Sequence, residues 1–195
     1  MPRVVDPEQR RTEVVCAAFS LLARDGVEAL TMRAVAQEAG CTIGLLNHWF
    51  NSKDHLVEAA LEHAVTTAIA RCKQLAQDPE TTLEQVVSEF LPLDSTRTDE
   101  LRVWLAFWAL SIGRSALRES HRLRVEDIRT SLTVEISKLV DNNTDVAQFV
   151  DVLMALLDGI TVNALVNPEY WTTERQRKSL LWALKVFGGG NTLVC

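Results

Sequence analysis

The sequence predicts an all-α fold, and three observations predict it. Apolar residues recur at helical spacing along most of the 195 residues, while strand-like alternation over several positions is hard to find. Only five prolines and eight glycines interrupt the chain. Turn-forming clusters, such as Asp25-Gly26, Asp78-Pro79 and Asn167-Pro168, fall where they leave helix-length stretches between them.

The elements follow in order. Asp6 is suited to cap a first helix, with Pro7 in its first turn and Glu8 near the positive end of its dipole. Val15, Ala18, Phe19 and Leu22 form a core-facing stripe, and Asp25-Gly26 ends the helix. Two short helices are expected from Thr31 to about Glu38 and from Thr42 to about Trp49, around Ala39-Gly40-Cys41. Ser52 caps a long helix from Lys53 to about Gln77, roughly 38 Å in length, able to link two parts of the molecule. Further helices are expected at about 80–91, 98–113, 115–140, 144–166 and 173–187. Pro92 with Asp94-Ser95-Thr96, Asp141-Asn142-Asn143 and Asn167-Pro168 separate them, and Gly188-Gly189-Gly190 ends the last.

Composition narrows the function. Hydrophobic residues make up 47% and charged residues 24%, as in an ordinary folded protein, and the length suffices for a core without disulfides or metal. The formal net charge of -6 excludes binding to nucleic acid through bulk positive charge alone. Cys16, Cys41, Cys72 and Cys195 lie far apart, which suits reduced thiols in a cytoplasm better than a disulfide framework or a zinc site. The first residues offer no apolar signal, and no apolar run is expected to reach the ~18 residues of a membrane span. A cytoplasmic protein with no membrane association is the expectation.

Residues 31–56, TMRAVAQEAGCTIGLLNHWFNSKDHL, carry the specific signal. A helix-turn-helix needs a small residue in its first helix, a glycine that can turn the chain at positive φ, and an apolar residue facing back from its second helix. Ala36, Gly40 and Leu46 meet these needs in order. Val35, Ala39, Cys41 and Phe50 close the small core, and Thr42 caps the second helix with its N–H groups facing outward.

Here the chain resembles the TetR family of bacterial transcriptional repressors. The matching residues are Thr31-Met32-Arg33, Val35-Ala36, Ala39-Gly40-Cys41-Thr42, Gly44, Leu46, Phe50 and Ser52-Lys53-Asp54, within about the first sixty positions. The family usually has tyrosine where this chain has Asn47, and tyrosine or histidine where it has Trp49. Asn47 can instead bond an adenine edge bidentately, and Trp49 is read first as packing against the preceding helix. Thr42, Ile43, Leu45, Asn47 and His48 are the second-helix positions not needed for the core. Ile43 and Leu45 suit thymine methyl groups. Thr31, Arg33 and Lys53 carry over from the resemblance as phosphate contacts, and Arg3, Arg10 and Arg11 are weaker candidates for an arm or flank.

The resemblance implies a larger helical second domain that binds a small-molecule inducer and dimerises. Leu91-Pro92-Leu93-Asp94 and the run from Glu100 to Ala109 look like the C-terminal domain of the choline-sensing repressor of betaine synthesis and its relatives. The implied organisation is a three-helix DNA-binding domain over 1–52, an inducer-binding and dimerisation domain over 53–190 whose residues 53–78 form the linking helix, and a tail over 191–195.

Trp104 and Trp108 share a helical face, with Phe107 beside them. Such a stripe is more often plain core than a ligand box, but two tryptophans on one turn can wall a quaternary-ammonium site. Trp171, with Tyr170 and Trp182, would close it. Asp158 is a carboxylate in an apolar helix: either hydrogen-bonded to a neighbouring helix end or the counter-charge of a cationic, choline-like inducer. Phe149, Leu153, Leu156 and Ile160 on one late helix, with Leu180 and Leu184 on the next, are expected to form the homodimer interface, a four-helix bundle. Two recognition helices one DNA turn apart, ~34–36 Å, require such a pair.

The alternatives are a helical-bundle enzyme and an adaptor without DNA binding. His55, Glu58 and Glu62 share a face but read as solvated charge rather than metal ligands. No nucleophile elbow, P-loop or dinucleotide fingerprint occurs, so no catalytic residue, metal or cofactor is expected. An adaptor would leave the Ala36, Gly40 and Leu46 spacing as coincidence.

Overall fold

Every residue described in the computed structural model, 6–140 and 145–187, lies in a helix, a turn or a short connection. Expectations placed on Arg3, on Asp141-Asn142-Asn143 and on 188–195 lie outside these residues. The helices are α1 (Pro7–Ala29), α2 (Met32–Glu38), α3 (Ile43–Trp49), α4 (Lys53–Leu75), α5 (Leu83–Val87), α6 (Ser95–Gly113), α7 (Ser115–Ile136), α8 (Val146–Val166) and α9 (Thr173–Phe187), with a 3-10 turn at Ser88–Phe90.

The local causes are those the residues suggest. The Asp6 carboxylate accepts from the Glu8 N–H at 3.1 Å and starts α1. Gly26, at φ 77° and ψ -177°, breaks that helix before a last turn to Ala29. Ser52 Oγ accepts from His55 N–H at 3.2 Å at the start of α4. The segment expected as one helix over 80–91 is shorter: Thr82 and Gln85 close a capping box on α5, which tightens into the 3-10 turn before Leu91-Pro92.

The described residues gather into two units. One draws on Met1–Val65 with Arg102–His121, the other on Thr66–Leu101 with Arg122–Cys195. The limit between these units falls inside α4, and the end of α6 and start of α7 join the first unit. Polar bonds hold them there: Arg114 pairs with Asp54, and the Ser120 hydroxyl donates to Glu58 at 2.6 Å. The unit's core includes Val14, Ala18, Leu22, Val35, Leu46, Leu56, Leu61 and Phe107, all buried.

In the second unit, Arg71 of α4 donates to both oxygens of Glu100, at 2.6 and 2.7 Å, and to Glu89 at 2.7 Å. The hydrogen bonds it donates to Glu100 and Glu89 hold that guanidinium firmly charged. Burial pushes the neighbouring Cys72 thiol up to about 12, leaving it inert at neutral pH.

One expectation needs correcting. Helix α8 is long and apolar enough to cross a membrane by length and composition, with a mean hydropathy of 1.8 over its best window. Asp151 and Asp158 interrupt its apolar run. Phe149, Val150, Leu153, Leu157, Ile160 and Ala164 of this helix are packed inside the unit.

Candidate nucleic-acid interface and effector site

Helices α2 and α3 form the turn the residues require. Gly40 adopts φ 58°, a conformation open to glycine at little cost. Cys41 N–H then bonds the Ala36 carbonyl at 2.9 Å, closing the corner. Val35, Ala36, Leu46 and Phe50 are buried, while Ala39 and Cys41 are only partly so. Thr31 and Thr42 cap the two helices, their Oγ1 atoms accepting from Ala34 N–H at 3.1 Å and Leu45 N–H at 3.2 Å. Each hydroxyl keeps its proton to donate elsewhere, for example to a phosphate oxygen.

With Leu46 turned inward, α3 presents Thr42, Ile43, Leu45, Asn47 and His48 to the outside. Ile43 is 45% exposed and Leu45 37%. Arg33 is exposed and Lys53 half-buried. Trp49 is half-buried, edge-on to His48 at 5.9 Å.

Charge is distributed to the same effect. Residues 1–55 hold Arg3, Arg10, Arg11, Arg24, Arg33 and Lys53 against Asp6, Glu8, Glu13, Asp25, Glu28, Glu38 and Asp54, one more acid than base. Several of the acids are engaged. Arg10 pairs with Glu13, Arg24 with Asp25 and Glu38, and Arg114 with Asp54. Arg10 also donates to the Gly40 carbonyl at 2.8 Å, and Arg11 lies over the Phe50 ring at 5.5 Å, so both brace the turn. Among the described residues, Arg33 and Lys53 have no acidic partner, which leaves two cations beside α3 for an external anion.

The residues suggested for an effector are only partly brought together. Trp104 and Phe107 of α6 converge on His121 of α7, with ring centres 5.0 and 6.2 Å away. Trp108, one turn beyond Trp104, is 38% exposed. Asp158 and Trp171 belong to the second unit. Asp158 is half-buried with a partner in the chain. Trp171 sits edge-on to Tyr170, whose ring already carries the Arg175 guanidinium at 3.9 Å. His121 was not singled out by its sequence, because nothing in the spacing of α7 marks the ring that meets two aromatics of α6.

Of the expected dimer residues, Phe149, Leu153, Ile160, Leu180 and Leu184 are buried within the single chain. The α8 and α9 stripes pack in their own unit; Phe149, Leu153, Leu156 and Leu184 line a small cleft, and Leu156 also borders an open groove. That groove, of about 710 Å³, is lined by Leu156, Thr172, Glu174, Arg175, Lys178, Ser179, Trp182 and Ala183. Trp182 is 65% exposed at its edge.

An all-α chain with a capped helix-turn-helix at one end, an apolar outer face on its second short helix and cations beside it is a DNA-binding regulator in architecture. Comparison with known proteins agrees. Residues 15–60 match the model of bacterial regulatory proteins of the tetR family, and residues 79–185 match that of the BetI-type transcriptional repressor C-terminal domain. The chain belongs to the TetR family and is a ligand-responsive DNA-binding transcriptional regulator, not an enzyme.

Among its relatives is the HTH-type transcriptional regulator BetI of Paraburkholderia phytofirmans, 27% identical over 178 residues that cover 89% of this chain and 91% of that one. PksA of Bacillus subtilis is 27% identical over 93% of this chain and 91% of its own. A transcriptional regulator from Rhodococcus sp. Rha1 superposes with a TM-score of 0.82 at 27% identity, covering 98% of this chain and 100% of that one. A regulator from Saccharomonospora viridis, crystallised with choline, shares the fold at a TM-score of 0.80 and 22% identity, covering 97% and 100%.

Proposed function

We propose that two copies of the chain form a cytoplasmic homodimeric repressor that grips a palindromic operator and is released by a small cationic, choline-like inducer. The outer face of α3 carries this reading: exposed Ile43 and Leu45 suit thymine methyls, with Asn47 for a base edge. Thr31, Arg33, Thr42 and Lys53 hold phosphates, and His48 completes the face. Specific binding then rests on a few placed groups rather than on net charge.

The second copy sits on the outer face of α8 and α9, where Leu156 and Trp182 border the groove and Val186 continues the exposed apolar strip. Pairing there places two readers to match successive major grooves. The inducer candidates of the first unit are Trp104, Phe107 and Trp108, and those of the second, taken by itself, are Asp158 and Trp171. A quaternary ammonium is favoured by the aromatic wall and by the likeness to the BetI-type domain and to the choline-bound regulator. Bound inducer favours an arrangement of α4 that no longer presents matched readers.

The decisive experiment uses a duplex selected by the wild-type protein from a random pool. Asn47→Ala and Lys53→Ala lose binding to it while sedimentation still shows a dimer. Wild-type affinity in both variants would overturn the assignment of α3 as the reader.

A further inference from the structure

The first turns of α4 carry acids beside a cation of the DNA-binding face. Asp54, Glu58 and Glu62 follow Lys53 at four-residue spacing, so they line one side of the helix. Asp54 is the next residue along from Lys53, its Cα about 3.8 Å away. That is well inside the Debye length of about 8 Å at physiological salt, so a bare carboxylate there opposes any phosphate that Lys53 holds. The α6–α7 corner meets these acids. Arg114, between the two helices, pairs with Asp54, and the Ser120 hydroxyl of α7 donates to Glu58 at 2.6 Å. Glu62 also has a partner within the chain. The Arg114 and Asp54 side chains keep 48% and 43% of their surface exposed. A pair so open to water adds little to stability, and its effect is felt instead in the field around Lys53.

We propose that Arg114 is a positioning residue of the DNA interface, cancelling the Asp54 charge so that the start of α4 can take a phosphate. This rests on the reading of Lys53 as a phosphate contact. Arg114 acts through Asp54 and not on the nucleic acid. The summed charge of the two side chains is therefore what counts: zero in wild type, negative when the arginine is lost, positive when the aspartate is lost. One uncompensated charge within a Debye length of a phosphate changes affinity about threefold per reader, or about tenfold for two readers. Residues 1–55 hold one more acid than base, and Arg114 supplies the missing positive charge from far along the chain.

The test measures anisotropy of the duplex selected by wild type, titrated with full-length variants at low and at high salt. Arg114→Gln binds about tenfold more weakly at low salt, and the deficit narrows at high salt, where the carboxylate is screened. Asp54→Asn binds more tightly than wild type by a similar factor. The double variant, which carries the wild-type charge, returns to within about twofold of wild type, and melting temperatures barely move. Wild-type affinity in Arg114→Gln, with Lys53→Ala still defective, overturns the role of Arg114 and leaves the reader standing. A double variant as weak as Arg114→Gln also overturns it, because Arg114 then touches phosphate itself or only supports the fold. A deficit equal at both salts overturns it in the same way. If Lys53→Ala binds like wild type, the reading of Lys53 fails and this assignment fails with it.

Discussion

Helices α3 and α9 both turn large apolar side chains outward, yet only one of them does so where its residues foretell. In α3 the exposed pair is Ile43 and Leu45, and the inward residue is Leu46. In α9 the exposed pair is Trp182 and Val186, while Leu180 and Leu184, which fall on an apolar stripe, are packed inside. The difference lies in what fixes the phase of each helix. Helix α3 is seven residues long, capped by Thr42 and preceded by a glycine at positive φ, so one buried residue determines every other. Helix α9 packs against α8, which is apolar on several faces, so a stripe alone does not say whether it meets its own chain or a second copy.

The largest effect should come from breaking the outer face of α9. Trp182→Asp is expected to turn the dimer into a monomer in sedimentation and to weaken operator binding at least a hundredfold, because a lone reader forfeits half its contacts. Leu180→Ala should instead cost about 2–5 kcal/mol of stability with the dimer retained, since the side chain lies wholly within the chain. If Leu180→Ala dissociated the dimer at unchanged stability, the division between the two faces of α9 would be wrong.

The corresponding pair in α3 comes next. Leu46→Ala should cost about 2–5 kcal/mol and remove DNA binding with the fold. Ile43→Ala should leave the melting temperature unchanged and reduce operator affinity about tenfold. Gly40→Ala tests the turn between them: no neighbouring atom obstructs a Cβ, so the expected loss of about 1–2 kcal/mol comes from φ alone.

The smallest effect is one of pH. The unfolded His121 takes up a proton near 6.5, while the folded one resists it because burial disfavours the charge. The unfolded state thus binds more protons as pH falls through 6.5, and stability declines there. Above that range the penalty is absent. Denaturant midpoints at pH 8 and pH 6 should show the decline in wild type and a smaller one in His121→Phe.

Much of the first unit was legible because its residues are few and each answers a steric demand. Asp6, Thr42 and Ser52 were readable as caps, and Gly40 as a turn. Phe50 and Leu46 followed as core. Less could be read of the second unit. Thr82 and Gln85 shorten a helix through a capping box that looked like ordinary polar sequence. For α8 and α9, spacing reports an apolar face and not whether its own chain or a second copy covers it. His121 escaped notice for a related reason: its significance lies in meeting Trp104 and Phe107 across two helices, and spacing along α7 records nothing of that.

The bond from Ser120 to Glu58 and the pairing of Arg114 with Asp54 bear on how such regulators can be recombined. The reader is not a detachable cassette of its first sixty residues, since 102–121 belong to the same unit. A chimaera that grafts a foreign reader upstream of residue 66 would seat it on a corner shaped for Asp54 and Glu58. Grafts that carry the α6–α7 corner along with the reader should keep their footing, and those that leave it behind should not.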